Sequence, residues 1–141
     1  MSQIGDILSA VYARAAAISG IETAAKRKRQ FNNDELPAVA VYRGVTSQED
    51  ASASGAQKIR VPVIVEYHAA ANADPAEQAE TMTESVLAAV EAEDEFLGGL
   101  LCEEIISDGG DRVELPEDAG GVVSVQVPFS AVFIRQYGGG A

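Results

Sequence analysis

The chain has 141 residues, a net charge of −12 and 47% apolar side chains. That is the size of one domain able to build its own core, and the apolar content argues against global disorder. No stretch approaches ~18 uninterrupted apolar residues, which excludes a membrane-spanning helix.

The first expected element is a helix over Ser2–Ser19. Ile4, Ile7, Leu8, Val11, Tyr12 and Ala15 recur at helical spacing and form one apolar stripe. Gly20 is the expected stop. This stretch is interrupted by Asp6 and Arg14 and has no basic segment before it, so it is not read as a secretory signal. Residues 21–30 read either as an extended arm or as an edge strand. The cluster Asn32-Asn33-Asp34-Glu35 predicts a turn. A short strand follows over Ala38–Arg43, with Pro37 at its start, where no ladder donor is needed.

Residues 44–57 are polar and rich in small side chains, which predicts a flexible loop, long enough to suggest a function. The strongest strand signal is Lys58–His68. Ile59, Val61, Val63, Val65 and Tyr67 alternate with Arg60, Pro62, Ile64, Glu66 and His68. Pro62 lacks a donor in mid-strand, so an edge or a bulge is expected there. A second helix starts at Asp74 as N-cap, with Pro75 in its first turn and Glu77 placed for a capping box. Its buried face is expected to be Ala79, Met82, Val86, Ala89 and Val90, fading near Glu93-Asp94-Glu95.

Leu100–Ile106 and Val113–Leu115 read as strands, with Asp108-Gly109-Gly110-Asp111 as a hairpin turn between them. A long strand, Val122–Tyr137, follows. It aligns Val123, Val125, Val127, Phe129, Ala131 and Phe133 on one face, and Pro128 again suggests a bulge or an edge. Residues 138–141 read as a flexible tail. This order predicts one α+β domain over residues 1–141, with a mainly antiparallel sheet and both helices on one face. Ile64, Val132 and Ile134 would remain on the other face, and leftover apolar surface favours oligomerisation.

No catalytic constellation stands out. Cys102 is the only cysteine and His68 the only histidine. They exclude an intramolecular disulfide and a standard zinc site, and a cytosol-like compartment is expected. Cys102 reads as a small buried hydrophobe. No phosphate-binding glycine motif precedes a helix. The expectation is a chain with no enzymatic activity, no cofactor and no metal.

Charge is unevenly distributed. Residues 66–118 hold 16 acidic side chains against one base, Arg112. A surface of that kind repels nucleic acid. Lys26-Arg27-Lys28-Arg29 is the exception, read either as a solvated connection or as a site for an acidic partner, with contact to a phosphate backbone the less favoured alternative.

The order of features resembles the tail terminator, or tail completion, proteins of long-tailed bacteriophages over nearly the whole chain. The residues that carry the resemblance are an N-terminal helix, then Leu36-Pro37-Ala38-Val39-Ala40-Val41 and a long polar loop. The strand Arg60–Tyr67 and the helix Asp74–Glu91 running toward Leu97-Gly98-Gly99 come next, then the closing Val127-Pro128-Phe129-Ser130-Ala131-Val132-Phe133.

The resemblance implies a virion protein at the head-proximal end of the tail, assembled in the host cytoplasm. It implies a homo-oligomeric ring, usually of about six subunits, that caps the tail tube and stops its polymerisation. The implied partners are the tail tube protein and a neck or head–tail connector protein. DNA passes through the ring without specific binding, and no membrane is involved. Under this resemblance Lys26, Arg27, Lys28, Arg29, Arg43, Gln48, Glu49 and Asp50 are candidate interface residues. Glu91, Glu93, Asp94, Glu95, Glu103 and Glu104 are candidates for an acidic channel or interface surface. The competing expectations are another neck or tail-tube subunit, a small dimeric α+β ligand-binding domain with a closed apolar pocket, and an enzyme built on Cys102 and His68.

Overall fold

The computed structural model describes residues 3–44, 47–50, 56–91, 104–107, 111–116 and 120–136. Helix α1 is Gln3–Ala16, followed by strand β1, Thr23–Ala25. A 3-10 turn, Asn33–Glu35, leads through a cis Leu36–Pro37 bond into β2, Ala38–Arg43. Then come β3, Ser47–Asp50; β4, Ala56–Ala70; and α2, Pro75–Val90. Strands β5, Glu104–Ser107; β6, Arg112–Glu114; and β7, Val122–Gln136, complete the chain. The strands form one sheet in the order β1-β2-β4-β7-β5, with β3 also on β4 and β6 also on β7. Every pairing is antiparallel except β1 with β2. The fold is α+β, as the element order predicts.

The centre of the sheet is the β4–β7 ladder, in register without interruption from Ala56↔Gln136 to Ala70↔Val122. Its odd-numbered residues face the helices. Ile59, Val61, Val63 and Val65 of β4 and Val123, Val125, Val127 and Phe129 of β7 are fully buried. They pack under Ile7, Val11 and Ala15 of α1 and Ala79, Met82, Val86 and Val90 of α2. α1 lies over β1 and β2, α2 over β7, so both helices cover one face. Gly20, at φ +92°, adopts the left-handed geometry that turns the chain out of the α1 region. Asp74 caps α2 by accepting the Glu77 amide at 3.2 Å. The expected capping box is only half formed, because the Asp74 amide donates to the Asn72 side chain at 2.8 Å.

Each central strand has an outer partner that breaks at a proline. β2 pairs with β4 as far as Arg43↔Val63, and β3 resumes at Ser47↔Arg60. The register therefore shifts by one residue between β2 and β3. The Gly44 amide donates to the Pro62 carbonyl at 2.9 Å, and Pro62 has no N–H to return the bond. A Cβ on Gly44 would lie 3.2 Å from the Pro62 Cβ, so the close approach suits glycine. On the far side, β5 pairs with β7 up to Ser107↔Phe129 and β6 resumes at Arg112↔Gln126, leaving Pro128 between them. Because polar groups alternate sides along a strand, both prolines turn their missing donor away from the β4–β7 ladder.

Three sequence expectations are corrected. First, residues 47–50 form strand β3. Their composition is poor for a strand, but β4 projects beyond β2 and offers them a ladder. Second, β5 and β6 do not form a hairpin with each other; both lie in line along β7. Third, Val132 is only 2% exposed. It sits between Arg60 of β4 and Glu104 of β5 in the sheet, and the Arg60 side chain donates to the Ser130 hydroxyl at 2.8 Å beside it. Ile64 is half-buried, and the Ile134 side chain lies outside the described residues, as do residues 138–141. Strand β1 resolves the choice over residues 21–30 in favour of a short edge strand.

The register sets a contrast. Val127→Pro removes a β4–β7 ladder bond as well as buried volume and should lower stability by about 3 kcal/mol or more. Pro128→Ala, one residue on, should change it by less than about 1 kcal/mol. Denaturant titration of both variants checks the difference.

Candidate functional site

The even-numbered face of the sheet carries a polar cluster centred on Glu66, which is 7% exposed. Register places Glu66 directly opposite Gln126, and His68 opposite Ser124. Tyr42 reaches Glu66 from β2. Glu66 Oε2 accepts from the Tyr42 hydroxyl, from Gln126 Nε2 at 3.0 Å and from Lys28 Nζ at 3.3 Å. Its other oxygen lies 3.1 Å from His68 Nε2, and His68 Nδ1 lies 2.7 Å from the Ser124 hydroxyl. A carboxylate only accepts, so in the neutral ring the proton sits on Nε2 and Nδ1 accepts from Ser124. The Phe31 ring packs on His68 with centroids 5.6 Å apart. The His68 hydrogen bond, helped by those of Tyr42, Gln126 and Lys28, outweighs burial and holds the Glu66 carboxyl down at about 2. Burial and the neighbouring carboxylate push the Tyr42 hydroxyl up.

Ser124, His68 and Glu66 follow one another like a nucleophile, a base and an orienting carboxylate. Acyl transfer also needs donors aimed at a developing oxyanion. Ser124 sits inside two ladders, paired with His68 of β4 and Glu114 of β6, which engage the backbone amides around it. Glu66 meanwhile holds three further partners. The arrangement fixes side chains across three strands, and Glu66, His68, Ser124 and Gln126 line an open groove of about 510 Å³ beside Lys28, Phe31 and Arg112.

The basic run winds round the β1–β2 flank. Lys26 Nζ bonds Ser9 at 3.0 Å on the α1 side and lies over the Tyr12 ring. Lys28 turns to the opposite face and Glu66. Arg29 forms a two-bond pair with Glu35 at 2.8 and 2.6 Å, and stacks on Phe31. The Asn32 amide bond, with Arg29 beside it, holds the Glu35 carboxyl below its ordinary value. Arg27 is exposed and has no partner among the described residues. Three of the four bases thus have contacts within their own chain.

The opposite flank is different. Val113 and Leu115 are 49% and 48% exposed, the only large apolar side chains so exposed among the described residues. With Ala76, Ala79 and Thr83 of α2 they line an open groove of about 400 Å³, rimmed by Glu80, Glu84 and Asp111. A separate open groove of about 720 Å³ runs beside the N-terminal half of α2, next to Leu36, Pro37 and Tyr67.

Of the other residues singled out in the sequence, Arg43 ends β2 and is exposed, and Gln48, Glu49 and Asp50 lie on β3. Glu91 is the exposed C-cap of α2, and Glu104 begins β5. Glu93, Asp94, Glu95, Glu103 and Cys102 lie outside the described residues. Sequence reasoning did not single out Tyr42, Glu66, Ser124 and Gln126. Their only signal is polarity on alternate strand positions, and joining them needs the β2–β4–β7 register.

No protein-family model and no curated protein matches the chain. Among solved structures it is similar to a chain described as the PVC sheath/tube terminator of an extracellular contractile injection system, in the extended state. The identity is 15% and the TM-score 0.43, over 98% of this chain and 58% of that one. The chain thus spans little more than half the length of that protein, and we rest no argument on the likeness.

The low Glu66 value has a defined sign. A carboxyl depressed in the folded state adds stability above its ordinary value near 4.5, and that stability is lost as pH falls toward about 2. Acid titration of folding should show this loss, on the order of 2–3 kcal/mol, and Glu66→Gln should flatten the slope in that window.

Proposed function

We propose that the chain is a structural subunit of the tail-terminator kind, with no catalytic role and no cofactor. In this reading it forms a ring, of about six copies, that caps a tail tube and stops its growth. The ring offers a joint to the neck and leaves a channel for DNA. The observation that carries the reading is the pair of unlike, open flanks on one sheet. β1 has three residues, and β3, β5 and β6 each pair on one side only among the described residues. Unpaired edges are templates for association unless they are covered. Flanks that differ join head to tail, and such contacts generate rings when the rotation closes. The order of elements over nearly the whole chain resembles the terminator family, which supports the same reading.

The charge fits a passage for DNA. Each copy carries −12, and an acidic lumen repels phosphates, so a duplex slides without sticking. We assign the lumen to the acidic segment that begins at Glu91 and includes Glu93, Asp94, Glu95, Glu103 and Glu104. The stretch from Arg43 to Asp50, at the projecting end of β4, is assigned to the tube or neck contact. The protein would then sit in the tail at its head-proximal end.

Light scattering on the protein alone and mixed with uncapped tail tubes tests this. The expected result is a mass near six copies on the tubes and an arrest of tube growth. A stable dimer that leaves tube growth unchanged would overturn the reading and favour a ligand-binding domain.

A further inference from the structure

We infer that the groove between α2 and β6 receives the α1–β1 flank of a second copy of this chain. The inference rests on the ring reading above and names the contact that joins neighbouring copies. Three observations carry it: what the groove offers, what the opposite flank offers, and where the two lie.

The groove presents Val113 on β6 and Leu115 just after it, and β6 has no partner on its outer side among the described residues. Half-exposed apolar side chains beside an unpaired ladder need a cover. The rim carries Glu80, Glu84 and Asp111, all exposed. A two-fold contact would set this acidic rim against itself and be repelled. The occupant must therefore bring small or apolar surface and positive charge.

The opposite flank has both. The exposed positions described on α1 are Gly5, Ser9 and Ala13, one per turn, and Ala17 continues the line. A solvent-facing helix ridge ordinarily carries charges; this one carries none. Its small side chains leave room for Val113 and Leu115 to seat. Lys26, bonded to Ser9, borders the ridge, and the exposed Arg27 follows it in the chain. Exposed Glu22 and half-buried Asp6 also lie on this side, so the match is local to Lys26 and Arg27.

Position completes the case. α1 covers the β1 end of the sheet and α2 the β7 end, so ridge and groove lie on the helix-bearing side at opposite flanks. Each copy offers one of each, and the contact repeats from copy to copy.

The test is cross-linking between two single-cysteine full-length variants, Ala13→Cys and Val113→Cys, each carrying Cys102→Ser. A short bis-maleimide should join them in the mixture and in neither variant alone. Adding Arg27→Glu to the ridge partner should cut the yield by about tenfold, and Glu84→Arg in the groove partner should restore it. Cross-linking of either variant with itself, or none in the mixture at any concentration, overturns the inference. Leu115→Glu separates the two claims. If that variant still caps tubes, the ring reading stands and this contact is wrong. If the unaltered protein fails to cap tubes, the ring reading is wrong whatever the cross-links show.

Discussion

Fifteen consecutive residue pairs join β4 to β7, and nearly everything else hangs from that ladder. Two long strands in strict register present two complete faces. The odd face is a row of β-branched and aromatic side chains that must be covered, and α1 and α2 cover it. The even face is left to polar groups, which need partners. Prolines are tolerated in both strands because each turns its missing donor outward. The outer strands therefore come in pieces, β2 with β3 and β5 with β6. The result is a rigid centre with fragmented, unlike flanks.

The even face shows how the same register solves a harder problem. A carboxylate at Glu66 that is nearly out of water is costly unless several donors meet it. The ladder delivers Gln126 directly across and His68 two residues along, while β2 and the basic run bring Tyr42 and Lys28. The cluster ties residues 26–31, β2, β4 and β7 together. That linkage fixes the course of the chain around the β1 flank, where Lys26 and Arg27 emerge. The polar face thus braces the β1 flank from behind, and its own side chains line an open groove.

Much of this was legible from single residues. The six-residue β2 matches its expected bounds, and the faces of β4 and β7 follow from strict alternation. α2 begins where Asp74 and Pro75 place it. What was hidden depends on pairing. β3 has no strand composition and exists because β4 extends past β2. The sequence 108–111 has hairpin chemistry, yet the strands around it share β7 and not each other. Val132 looks like leftover apolar surface until the register puts Arg60 across from it. The Glu66 cluster joins six residues spread from Lys28 to Gln126, and no local spacing connects them. Lys26–Arg29 was legible as a basic run, but its division among Ser9, Glu66 and Glu35 was not.

The proposed joining of copies through unlike flanks has a direct signature in symmetry. Negative-stain electron microscopy of the protein assembled on tube ends reads it from class averages. The expected result is a closed ring with rotational symmetry and a central hole, every copy facing the same way. Particles built on a two-fold axis, with like flanks meeting, would contradict it.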